Sequence, residues 1–207
     1  MRTIEETLQG QAEAAVHKAD GLSGPGRFTI AGMLGGAYVG IAVVLMFSTA
    51  GPLAVAGSGS VKLVSGLVFG VALTLVVFAG AELVTSSMMT LAQGVAMRVV
   101  GFGRAAAAVL FTFGANLLGS AVFATLIALS GVLHSNAPAG AMMSDLLAAK
   151  ATESPLELFV RGILCNVLVC LGIWMCARLT TDGPKLAVLF WALLAFIASG
   201  FEHWWRT

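Results

Sequence analysis

Charge is the scarcest property of this sequence: Asp, Glu, Lys and Arg make up 10% of its 207 residues and leave a net charge of +1. The basic residues are scattered rather than clustered, which excludes the electrostatic footprint of a nucleic-acid-binding protein. Cys165, Cys170 and Cys176 all fall in one apolar run at spacings of five and six. That spacing fits neither a disulfide framework nor a zinc site, so they are expected to be packing residues. His17 and His134 lie in polar flanks, and only His203 adjoins a spanning segment. No ligand set for haem or metal results, and no cofactor is expected. The opening stretch MRTIEETLQGQAEAAVHKAD lacks the short apolar core of a cleaved signal peptide, so the N-terminus is expected to be retained.

What the chain has in abundance is hydrocarbon. Hydrophobic residues make up 58% of it and the mean hydropathy is +0.96. That balance indicates an integral membrane protein, with the lipid bilayer as its surroundings. Apolar spans long enough to cross occur at about 29–56, 63–81, 105–133 and 158–177, with a shorter fifth at 186–201. Ahead of them, Thr3-Ile-Glu-Glu6 is a capping box. It opens an amphipathic helix with Ile4, Leu8, Ala12 and Val16 on one side, lying on a membrane face or against the bundle, and the breaker GLSGPG ends it. Residues 1–27 are thus expected to form an N-terminal helix and linker, and residues 28–207 one transmembrane domain.

Two spans are interrupted. LVFGVALTLVVFAG runs into Ala81-Glu82 and the polar patch LVTSSMM before apolar sequence resumes up to Arg98, and the fifth span breaks at Gly200-Phe201-Glu202. Unpaired backbone at membrane depth costs several kcal/mol per group, so such a break must be buried in protein or line a pathway. Gly80-Ala-Glu82 overlies Gly200-Phe-Glu202 at an offset of 120 residues, as two repeats of three helices would give. The expected fold is therefore all-α and polytopic, with discontinuous second and fifth helices, a first repeat over about 28–133 and a second over about 155–207. An odd number of crossings between them inverts the repeats, and paired broken helices then point to the substrate site.

With the N-terminus inside, Arg2, Lys18, Arg27, Arg98, Arg104, Arg178 and Lys185 are cytoplasmic, against Lys62, Lys150 and Arg161 outside. That bias predicts a cytoplasmic N-terminus, provided residues 63–98 cross once as a single discontinuous helix. Gly32, Gly36 and Gly40, then Gly66 and Gly70, then Ala115 and Gly119 form small-residue ladders that let backbones approach closely. They serve packing within one subunit, contact between subunits, or both.

The stretches AGAELVTSSMM (79–89), AKATESPLELFVRGILCNVLVCLGIWM (149–175) and LLAFIASGFEH (193–203) resemble the formate/nitrite transporter family. With GMLGGAYVGI (32–41), the last two are similar to its nitrite branch. The resemblance implies an aquaporin-like inverted repeat, a homopentamer in the bacterial inner (cytoplasmic) membrane, and one pore per protomer for nitrite or a related small anion. A formate or hydrosulfide channel is the alternative within the family, and no enzyme activity is implied. By the same resemblance, Phe69 and Phe196 form the periplasmic constriction, and Leu73, Leu83 and Val169 the cytoplasmic one. Thr85, Asn166 and His203 are the central polar residues, and Lys150 attracts anions at the vestibule.

These residue types suit the chemistry. A small anion pays heavily to leave water for an apolar passage, so its charge must be offset or neutralised. Lys150 raises the local anion concentration, although in a polar loop it also reads as a plain surface charge. His203 can change charge near neutral pH and so act as a cationic stop or lend a proton, although a lone buried His is often a packing residue. Thr85 and Asn166 can donate hydrogen bonds to anion or acid. Glu82 and Glu202 read as a second proton relay or, preferably, as carboxylates that bind the amides freed at the helix breaks.

The family pattern continues past Glu202-His203 into the rest of a fifth helix and a sixth, whereas this chain reads Trp204-Trp205-Arg206-Thr207 and stops. The second repeat is therefore expected to be incomplete. A truncated, non-conducting structural subunit becomes a further alternative, with the final residues as an interfacial anchor.

Overall fold

The computed structural model describes residues 1–200, so the expected site residues Glu202 and His203 lie outside the described residues. Among the described residues every regular element is helical. Helix α1 (Ile4–Asp20) opens on the expected capping box, in which the Thr3 hydroxyl accepts from the Glu6 amide and the Glu6 carboxylate from the Thr3 amide. Its buried face is Thr7, Gln11, Ala15 and Ala19, while Ile4 and Val16 are exposed. This corrects only the alternative in which the apolar face packs against the bundle: the buried face lies about one residue away from it. Thr7 donates to the Thr3 carbonyl and Gln11 accepts from Thr90, so the two polar residues are satisfied where they are buried.

A 3-10 turn, Gly21–Ser23, leads to α2 (Pro25–Val55), which has proline in its first turn where no intrahelical amide is needed. The second span is composite: α3 (Val61–Phe69), α4 (Val71–Thr74) and a π-helical turn Leu75–Gly80, followed by extended backbone at Ala81 and Leu83 and then α5 (Val84–Ala96). Helix α6 (Phe102–Ser130) stops at Gly131, whose φ of 68° suits a residue without Cβ. A short α7 (Val132–Ser135) precedes α8 (Ala137–Ala151), α9 (Pro155–Arg178) and α10 (Asp182–Ala198). Four segments, Pro25–Val55, Val61–Gly80, Phe102–Ser130 and Pro155–Arg178, are long and apolar enough to cross a membrane.

Helix α8 revises the expectation of a polar loop around Lys150. Asn136 caps it and an alanine-rich run carries it through to Lys150 in its last turn. Gly51 near the end of α2 leaves room for the backbone of Pro138 and Ala139.

The small-residue ladders are contacts within the chain. On α2, Gly32 faces Ala115, Gly36 the Asn116 carbonyl and Gly40 the Phe123 ring, while Gly119 of α6 faces the Met33 backbone. Gly66 and Gly70 meet Leu194 and Phe190 of α10. At each position a Cβ would collide, so these pairs define where the helix axes come closest. The main buried core lies between α2, the broken span, α9 and α10, and it includes Leu73, Leu83, Val169 and Phe196.

Candidate functional site

The break in the second span organises the site. Gly80 takes φ +81°, which a residue without Cβ adopts at little cost. Its counterpart 120 positions on, Gly200, has φ +75°. Past Gly80, three residues leave the helical ladder, and several of the freed backbone groups find partners elsewhere. Ala81 N–H donates to the Val76 carbonyl (3.1 Å) and Glu82 N–H to the Ala31 carbonyl of α2 (3.0 Å). Val84 N–H donates to Asn116 Oδ1 (2.9 Å), and Asn116 Nδ2 donates to the carbonyls of Glu82 (2.7 Å) and Gly32 (2.7 Å).

Glu82 sits at the break, but its carboxylate does not bind the freed amides as expected. It pairs with Lys18 of α1 and accepts from the Ser87 hydroxyl (3.4 Å). The amide of Asn116 takes the backbone role because it reaches in from α6 as both donor and acceptor, which a carboxylate cannot do.

The apolar residues expected at the two constrictions lie together. The Phe69 and Phe196 rings meet edge to face with centroids 6.3 Å apart. Leu73, Leu83 and Val169 are buried in the same cluster. Beside them, the Thr85 hydroxyl oxygen and Asn166 Oδ1 are buried without a hydrogen-bond partner among the described residues. Among the described residues Asn166 Nδ2 has the Met88 sulfur (3.7 Å), and the Thr85 carbonyl accepts from the Cys170 thiol (3.8 Å). Orphaned polar atoms amid packed hydrocarbon are costly unless something else pairs with them.

Asn166 also lines a groove of about 440 Å³ between α5 and α9, shared with Met89, Gln93, Cys170 and Trp174. Gln93 Oε1 is a third buried oxygen there without a partner among the described residues. Thr85, Met89 and Gln93 follow at intervals of four and so share one face of α5. Gly35 of α2 lies against the Glu82 carbonyl and Gly51 against Pro138 and Ala139 in the first turn of α8, a separation along α2 of about 24 Å at 1.5 Å per residue; Lys150 is in the last turn of α8.

Known proteins share this architecture and this sequence. The formate/nitrite transporter model matches residues 5–205. The chain belongs to the formate/nitrite transporter family. It is 40% identical over 178 residues to the nitrite transporter NirC of Escherichia coli (strain K12), a match covering 85% of this chain and 64% of that protein. A solved FNT family ion channel superposes with a TM-score of 0.84 at 36% identity, covering 97% of this chain and 79% of that one. A pentameric formate channel with formate bound shares the fold, with a TM-score of 0.72 at 24% identity over 87% of this chain and 71% of that one. The chain thus spans about 64% of the length of the nitrite transporter it matches.

Within the family fold, three residues escaped sequence reasoning. Asn116 looks like any polar residue in an apolar helix, and its partners lie 32 to 84 positions away. Lys18 and Gln93 gave no signal beyond polarity, although the spacing of four from Thr85 marks Gln93 in retrospect.

Proposed function

We propose that this chain is a protomer of a channel for nitrite or a closely related monovalent weak-acid anion, assembling as a homopentamer in the bacterial inner membrane. The observation that carries this is the pair of buried oxygens, on Thr85 and Asn166, without a hydrogen-bond partner among the described residues, on the same segments as the packed Leu83 and Val169. An apolar constriction with waiting hydrogen-bond groups admits a small polar solute while excluding a continuous water column. The nitrite transporter and the pentameric formate channel among its relatives support the substrate class and the assembly. Arg2 meets the Arg178 backbone, and Lys18 and Arg104 pair with Glu82 and Asp20 at the α1 end, which supports a cytoplasmic N-terminus.

In this mechanism Lys150 concentrates anions at the outer mouth, Phe69 and Phe196 narrow the path, and Thr85 and Asn166 replace part of the lost hydration. His203 offsets the charge or lends a proton, and Glu202 serves the second break. Uptake of nitrite, formate and hydrosulfide into proteoliposomes tests the substrate, since a pore selective for formate would rank that anion first. His203→Asn should change the pH dependence of uptake, and Lys150→Ala should slow it at low external substrate. Unaltered rate and pH profile in both would sink the mechanism. A subunit that assembles without conducting is a second reading, favoured by the small fraction of α9 that is buried. Pentamers by native mass spectrometry with no uptake of any of the three anions would select it.

A further inference from the structure

We infer that Asn116 is the positioning residue of the pathway, fixing Leu83 and Thr85 through the backbone between them. The inference rests on the transport reading above, which alone gives that placement a purpose. Asn116 is 7% exposed and its carboxamide is fully committed, accepting from Val84 N–H and donating to the Glu82 and Gly32 carbonyls. Val84 lies between the constricting Leu83 and the hydroxyl-bearing Thr85, so one hydrogen bond sets the direction in which both side chains leave the chain. On the other side, Gly35 gives the Glu82 carbonyl its room, since a Cβ there would overlap it, and Ala31 holds the Glu82 amide. The break is thus gripped between α2 and α6, with Asn116 as the member that touches both ends of it.

Only a carboxamide supplies an acceptor and two donors at one planar tip. Aspartate keeps the acceptor but sets a carboxylate against two carbonyl oxygens, and serine is too short to span the three partners. Asn116 makes no contact with solute in this scheme, so it acts on transport entirely through the placement of residues 83–85.

Hydrogen exchange of the whole chain in lipid nanodiscs, read on peptides covering residues 81–86, tests this together with nitrite uptake. Asn116→Ser should raise exchange at 81–86 by about tenfold or more while the rest of α6 stays slow. It should raise the half-saturating nitrite concentration in the unsubstituted background and add nothing in a Thr85→Val background. Asn116→Asp, of nearly equal volume, should show the same local rise and provides the test if the serine variant fails to fold. Unchanged exchange at 81–86 overturns the inference, and so do losses that simply multiply with Thr85→Val. If exchange rises but none of the proteins takes up nitrite, the unsubstituted chain included, the grip on the break stands and the transport reading fails.

Discussion

Helices α2 and α9 open the two halves of the chain, and they are clothed very differently. A third of the apolar stretch of α2 is buried inside the protein (33%), against 11% for α9. Both are apolar, so hydropathy does not separate them. Glycine does. Gly32, Gly36 and Gly40 bring α6 against α2, whereas on α9 Gly172 meets Ala192 of α10 and Gly162 faces open space. An apolar side chain gains little by leaving lipid for another helix, so contact in a membrane comes from close backbone approach and from hydrogen bonds that lipid cannot supply. Where such residues are absent, as on the face of Leu156, Phe159, Ile163 and Val167, side chains stay exposed.

The sharpest way to break this comparison is Gly36→Leu. Its side chain would collide with the Asn116 carbonyl, and overpacking against backbone costs roughly 3 kcal/mol or more, so no monodisperse protein should be recovered. Gly162→Leu is the counterpart and should leave the melting temperature of the purified protein unchanged. Recovery of both variants with equal stability would mean that glycine spacing does not mark the helix contacts.

A smaller effect is expected where α1 meets the break. Lys18 and Glu82 are 14% and 18% exposed, so reversing one charge should cost roughly 3 kcal/mol locally. Lys18→Glu should release α1 and speed trypsin cleavage at Arg27, and adding Glu82→Lys should restore resistance. If Lys18→Glu leaves cleavage unchanged, the pair does not hold α1.

The smallest effect lies at the exposed start of α1. The Thr3 backbone amide, and then the Thr3 hydroxyl, hold the Glu6 carboxyl below its ordinary range. A depressed folded-state value means that the cap contributes fully above the unfolded carboxylate range and is lost as pH falls through the folded one. The first turn should therefore fray in acid, seen as faster exchange of the 4–7 amides, and Glu6→Gln should abolish that dependence.

Much of the fold was legible because the bilayer restricts the choices. The capping box, the spans and the break after Gly80 all follow from local pattern. Which side of α1 is buried could not be read, because Thr7 and Gln11 find partners that hydropathy cannot reveal. Helix α8 did carry signals, with Asn136 as cap and an alanine-rich run, which the reading of Lys150 as a loop residue passed over. In the candidate site, family resemblance named Phe69 and Phe196, and their 6.3 Å ring contact links α3 to α10. Asn116 stayed hidden because its role exists only once three distant segments have met.

The amide of Arg2 donates to the carbonyl of Arg178 (2.8 Å). The two residues are 176 positions apart, so at ribosomal rates of roughly 5–20 residues per second the second is made about 10–35 s after the first. The body of α1 can therefore seat against the second span through Gln11–Thr90 and Lys18–Glu82 well before its first turn closes on the end of α9.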